Sequence, residues 1–202
     1  MSGRRIVDYH VHSNLSFDGS STMFEICEKA VKLNMKEIGF TDHMDFNPRD
    51  LGYGFFEYEK YSSEIERARS IFGEKIIVRK GIEIDYQSRY EDDVRRWLGD
   101  KEFDYAIGSV HYINDENVRY LLRKRPMNDV LEDYVDEVLH SVKSGFNILK
   151  LCENTMKEAI KRMKRTNSSN NLQFPKPDNN LGATAGIWTR VKGLEGLCPR
   201  PG

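Results

Sequence analysis

The sequence predicts an α/β domain built on parallel strands joined by helices, and two observations carry that expectation. From Arg5 to Gly145, short β-branched runs alternate with longer amphipathic stretches. Histidines and carboxylates recur at the C-terminal ends of the short runs, the edge at which barrels and doubly wound sheets build their sites. Barrel and open sheet both satisfy this pattern.

Four strands are expected, over 5–10 (RIVDYH), 36–41 (KEIGFT), 75–85 (KIIVRKGIEID) and 103–111 (FDYAIGSVH). The first helix is expected over 23–33. Thr22 and Glu25 have capping-box spacing, in which hydroxyl and carboxylate satisfy free backbone amides, and Phe24, Cys27 and Val31 recur at helical intervals. Similar periodicity marks 57–71, 90–98 and 128–144, with Gly73, Gly99 and Gly145 as C-terminal stops. After Phe146 the character changes, which divides the chain into 1–146 and 147–202. Over 148–163, Leu149, Cys152, Met156, Ile160 and Met163 share one face of an expected docked helix, opposite Lys157, Lys161, Arg162 and Lys164. From Thr166 onward there is no period, and Pro175, Pro177, Pro199 and Pro201 fall here, so a largely disordered tail is expected.

Composition narrows the function. The chain has 202 residues, 39% of them hydrophobic, enough for one domain with an appendage. Thirty-one basic residues against 32 acidic leave a net charge of −1, so no field from the whole chain attracts nucleic acid or anionic lipid. No apolar run is long enough to span a bilayer, and the first residues lack the apolar segment of a signal peptide; a cytoplasmic protein is expected. Cys27, Cys152 and Cys198 are far apart and odd in number, which suggests neither disulfides nor a structural zinc site.

Chemistry concentrates in four of the five histidines. His10 and His12 are two residues apart at the end of the first strand, so both imidazoles are expected on one face, an arrangement suited to a single metal ion. Asp18-Gly19 follows in the loop, Asp42-His43 ends the second strand, Glu83 lies near the end of the third and His111 ends the fourth. Side chains from adjacent parallel strands converge at that edge. Mixed imidazole and carboxylate donors without thiolate select zinc, manganese or iron. His10, His12, Asp18, His43, Glu83 and His111 exceed the needs of one tetrahedral ion, so a cluster with Glu83 bridging two ions is expected. Metal ions a few ångströms apart clamp a phosphoryl oxygen and acidify a shared water, and hydrolysis of a phosphate ester is the reaction to which this points. No GxSxG element, catalytic-cysteine signature or P-loop competes.

DYHVHSNLSFDGS at 8–20, GFTDHMDF at 39–46, GIEID at 81–85 and GSVHYI at 108–113 together resemble the polymerase-and-histidinol-phosphatase (PHP) superfamily, and most of all its histidinol-phosphatase branch. The resemblance covers 5–146. It implies a distorted (β/α)7 barrel with three metal ions. His10 and His12 would hold the first, Glu83 would bridge to the second with His111 on its far side, and Asp18 and His43 would hold the third. Glu83 and His111 would thereby also be catalytic. The implied reaction is hydrolysis of L-histidinol phosphate in histidine biosynthesis, with no nucleic-acid or membrane partner.

The chain departs from that pattern after Phe146. A DVLGHxD-like strand and a later Asp-x-His pair are replaced by NILKLCENTMKEAI, and His140 is expected to be a surface or packing residue on its helix. At about thirty residues for each βα unit, the remainder is too short to close the barrel in the family's way, so an incomplete barrel with a divergent C-terminal helix and tail is expected. Two other functions fit part of this pattern: a PHP-type nuclease or proofreading module, and an inactive truncated metal-binding protein. Arg119, Arg123, Lys124 and Arg125 could overhang the site and meet a substrate phosphate or simply be solvated. Arg79 falls toward the opposite end of the barrel. Tyr53, Phe55, Phe56 and Tyr58 could form an apolar lid or pack the start of the next helix.

Overall fold

In a computed structural model of the chain, the residues described are 6–144, Phe146 and Ile148–Lys150. The strands are β1 (Val7–Val11), β2 (Glu37–Phe40), β3 (His43–Asp45), β4 (Ile77–Asp85), β5 (Tyr105–Ser109), the short pair β6 (Tyr112–Ile113) and β7 (Glu116–Asn117), and β8 (Ile148–Lys150). The helices are α1 (Met23–Lys32), α2 (Tyr58–Phe72), α3 (Glu91–Gly99), α4 (Val118–Lys124) and α5 (Met127–Lys143), with a 3-10 turn at Ser88–Tyr90. The main sheet runs β1-β2-β4-β5-β8, every pairing parallel, and β3 pairs with the upper half of β4. This is a curled part of a parallel barrel with helices outside it, as expected for the α/β class.

The expected strands and helices are found with shifts of one or two residues at their ends. The Thr22 capping box forms in full, with the hydroxyl accepting from Glu25 N and the Glu25 carboxylate accepting from Thr22 N. The second strand is interrupted: Thr41 and Asp42 separate β2 from β3, and His43 lies on a strand of its own. One expectation is corrected. The helix expected over 148–163 does not begin at Ile148, because Ile148–Lys150 pair in parallel with Ile107, Gly108 and Ser109 of β5. An edge strand presents unsatisfied amides and carbonyls, and ladder bonds to it outweigh a weak helical period over three residues. The remainder of that helix, the expected tail and Gly145 lie outside the described residues. The sequence reading also missed the β6–β7 hairpin and α4.

Outside the sheet, α1 and α2 pack Ile26, Cys27, Ala30, Ile65 and Ala68 against Ile38, Phe40 and Val78, while Val94 of α3 meets Ile82 and Ile84. A third cluster joins Val118, Leu121 and Leu122 of α4 to Val130 and Tyr134 of α5. Inside the sheet, side chains of the same parity stack in layers. Gly39 and Gly81 face Tyr105, whose ring fills the space: a Cβ at Gly39 would come within 2.0 Å of the Tyr105 hydroxyl, and one at Gly81 within 2.5 Å of its ring. That hydroxyl donates to Tyr9 O at 2.8 Å. Below it, Glu37 binds both Tyr9 Oη (2.6 Å) and Arg79 Nε (3.0 Å), so Arg79 belongs to the floor, as expected. Above the tyrosine come His43 and Glu83 in register, and above them Asp45, Asp85 and Ser109. Among the described residues, no helix is long and apolar enough to cross a membrane.

Candidate metal centre

The register of β1 shifts between Asp8 and Val11, an irregularity of the bulge type. Tyr9 enters the floor, while His10 within the shifted stretch and His12 just after it both reach Glu83. His10 Nε2 lies 2.5 Å and His12 Nε2 2.8 Å from the same oxygen, Glu83 Oε2, and the two ring nitrogens are 3.0 Å apart. Glu83 is fully buried (0% exposed). Its other oxygen accepts from the Ser109 hydroxyl and lies 3.8 Å from His111 Nε2. His43 Nε2 is 3.7 Å from Glu83 Oε2 and 3.9 Å from Asp18 Oδ2. All six predicted residues therefore meet at one place.

Their donor atoms form three overlapping groups, each within 4.8 Å: His10, His12 and Glu83; His12, Asp18 and His43; and His43, Glu83 and His111. A divalent ion held about 2.0–2.2 Å from each donor spaces its ligands some 3–4 Å apart, the separations His43 and His111 already have from their carboxylates. The donor chemistry and the geometry both fit metal ions. Electrostatics agrees. Burial alone would depress the His12 pKa, yet hydrogen bonds to Asp18 and Glu83 outweigh it and raise the value to about 9. Burial raises the Asp18 pKa, but contacts with His12 and His43 prevail and hold it well below the usual carboxylate range. The pocket thus favours positive charge next to carboxylate.

Several residues to which the sequence reading gave no role hold these side chains in place. Asp42 does not join the cluster. Both of its oxygens are taken by Ser13, from the backbone N–H (2.5 Å) and the hydroxyl (2.5 Å), which fastens the loop after β1 to the end of β2. Burial pushes its pKa up to about 6 in spite of those bonds. Ser16 Oγ donates to Asp18 (2.6 Å) and accepts from His43 N (3.1 Å), linking two predicted ligands. In the same loop a Cβ at Gly19 would stand 1.7 Å from Ser13 O, so only glycine fits after Asp18. Asp45 Oδ1 lies 3.4 Å from His43 Nδ1, and Asp85 Oδ1 lies 3.4 Å from His111 Nδ1. A readable signal existed for both: each aspartate sits two residues beyond His43 or Glu83, at strand parity. The serines left no such trace, because their partners are set by loop folding.

The remaining candidates are dispersed. His140 is exposed on α5, as expected. Arg125 pairs with Asp133 at 2.7 Å, and Arg123 and Lys124 are exposed. The aromatic group divides. Tyr53 and Phe55 are 54% and 48% exposed in the loop after β3, whereas Phe56 packs tilted against Tyr61 and edge-on to Trp97, and Tyr58 accepts from Lys80 Nζ on the outer side of the sheet.

A sequence profile described as the PHP domain matches residues 8–169. Among curated relatives, the histidinol-phosphatase of Lactococcus lactis is 30% identical over 112 residues, covering 55% of this chain and 41% of that protein. The probable histidinol-phosphatase of Deinococcus radiodurans is 29% identical over 149 residues, covering 69% and 57%. The chain thus spans about half the length of these relatives. Among solved structures, the Lactococcus lactis histidinol phosphate phosphatase, complexed with zinc, L-histidinol and phosphate, superposes with a TM-score of 0.68 at 24% identity, covering 75% of this chain and 59% of that one. The putative histidinol phosphatase of Listeria monocytogenes gives 0.62 at 16% identity, covering 71% and 65%. These superpositions establish a PHP-type barrel fold.

Proposed function

Given that the chain belongs to the PHP domain family, we propose that it is a metal-dependent phosphomonoesterase acting on L-histidinol phosphate, with His10, His12, Asp18, His43, Glu83 and His111 holding divalent ions. The observation that carries this reading is the buried Glu83 carboxylate, shared by two of the three donor groups and flanked by four imidazoles. The names of the curated relatives supply the substrate, and the nitrogen-rich donor set suits zinc, manganese or iron. Such ions neutralise phosphoryl oxygens and supply a water acidic enough to attack at neutral pH.

The residues of the chain do the rest. Glu83 and His111 are the catalytic members: the ions they would hold between β4 and the loop after β5 set where the phosphoryl group reacts. Asp18, steadied by Ser16, orients His12 and faces His43. Hydrolysis joins the water oxygen to phosphorus and breaks the ester P–O bond, and the proton the water gives up leaves on the alcohol. A cytoplasmic setting belongs to the same reading and suits the free, buried thiol of Cys27.

The test is phosphate release from L-histidinol phosphate by the purified chain supplied with zinc, manganese or iron(II). Activity is expected to vanish with chelator and in His10→Ala and Glu83→Gln, and single-stranded DNA is expected to remain uncut. Absence of phosphate release with all three metals, or DNA cleavage in its place, overturns the proposal.

A further inference from the structure

Beside the histidine cluster the fold gathers a second set of ligands, made of oxygen alone. Asp45 on β3 and Asp85 on β4 are register partners, each 1% exposed. Asp50, in the loop after β3, adds a third carboxylate, and one oxygen from each of the three lies within 4.8 Å of the others. Asp45 Oδ1 faces His43 Nδ1 at 3.4 Å, while Asp45 Oδ2 and Asp85 Oδ2 are buried without a hydrogen-bond partner. Asp85 Oδ1 accepts from His111 N at 2.9 Å, which leaves Oδ2 for the pocket. The backbone of the loop covers the site: a Cβ at Gly52 would be 1.9 Å from Asp45 Oδ2, and Gly52 N donates to Asp50 Oδ1 at 2.9 Å. Among the described residues, no lysine or arginine forms an ion pair with any of the three, and the imidazoles of His43 and His111 face only Asp45 Oδ1 and Asp85 Oδ1. Burial, then the charges of Asp45 and Asp85, push the Asp50 pKa up to about 6. Buried carboxylates left in this state are costly unless a cation joins them.

We propose that Asp45, Asp50 and Asp85 bind a hard divalent cation of the calcium, magnesium or manganese class, at a site separate from the histidine cluster. An all-oxygen donor set selects hard ions, which bind at about 2.0–2.6 Å and complete their coordination with water. Asp45 and Asp85 are too enclosed, and the loop lies too close above them, for the carbon skeleton of an ammonium-bearing substrate to follow its charged end into the site. Bound there, the cation ties the loop after β3 to the C-terminal ends of β3 and β4. This proposal does not rest on the phosphatase reading, since binding is measured without substrate.

The probe is calcium, which imidazole-rich sites hold poorly. Calcium is titrated calorimetrically into the full chain already loaded with zinc, alongside Asp50→Asn, an isosteric change at a partly exposed loop position. One calcium per chain is expected in the parent, with at least a tenfold loss of affinity in Asp50→Asn and unchanged zinc content and circular dichroism. The thermal midpoint is expected to rise with calcium in the parent and to respond less in the variant. Should Asp50→Asn fail to fold, Asp45→Asn removes charge from the same pocket and is expected to lose calcium affinity likewise. No calcium binding by the parent up to millimolar concentration overturns the proposal. So does calcium binding that these variants leave intact, including the case in which Asp50→Asn instead raises KM for L-histidinol phosphate because the pocket reads the substrate ammonium.

Discussion

Glu83 presents one oxygen to His10, His12 and His43 and the other to Ser109 and His111, all from a fully buried position. Removing its charge without changing its shape leaves neighbouring cations facing each other with less negative charge between them. Loss of a partner that merely orients a ligand weakens metal binding by about tenfold to a hundredfold, so Glu83→Gln is expected to cost at least about a hundredfold. It should leave fewer ions per chain than His43→Ala, and elemental analysis after gel filtration measures the difference; equal or higher occupancy in Glu83→Gln contradicts the bridging role. At this scale the six residues that converge on Glu83 were legible in the sequence, because imidazole and carboxylate are scarce donors whose recurrence at strand ends is conspicuous. Ser13, Ser16 and Ser109 were not legible. A serine is common, and only the folded loops show which oxygen its hydroxyl meets.

Elements are set by what the neighbouring strand leaves room for. Gly39 and Gly81 do not mark turns; both lie inside strands, where glycine is disfavoured, and they are present because the Tyr105 ring occupies the space a side chain would take. Gly39→Ala is expected to destabilise the fold by about 1–3 kcal/mol through overpacking, lowering the thermal midpoint by about 2–12 °C. Adding Tyr105→Phe removes the atom at 2.0 Å and leaves neighbours at 3.0 and 3.1 Å, so the double variant should recover part of the loss, with a coupling of at least about 0.5 kcal/mol. Strictly additive midpoints in a thermal-melt cycle would show that the tyrosine hydroxyl is not what excludes a side chain. Strand positions were readable from β-branched runs, and helix starts from capping residues such as Thr22. The break between β2 and β3 was not readable, since it depends on Asp42 turning to Ser13 across the sheet. Nor was β8, whose three residues gain their strand character from the edge of β5.

At the scale of the whole molecule, the class of fold was legible because alternating strands and amphipathic stretches leave few other ways to cover both faces of a parallel sheet. The layering inside the sheet also gives the site a direction. Tyr105 over its two glycines, and beneath it Tyr9, Glu37 and Arg79, close the floor below Glu83, while the donor atoms open toward the C-terminal ends of the strands. Metal ions held there would leave through the same opening by which a phosphate enters, and traffic through a shared doorway is mutually exclusive. Inorganic phosphate should therefore slow the stripping of metals by a chelator severalfold, as a cork slows the emptying of a flask, when release is followed with a metal-sensitive dye. An unchanged release rate at saturating phosphate would mean that the ions leave by a second route, past the tyrosine floor or through the flank of the sheet.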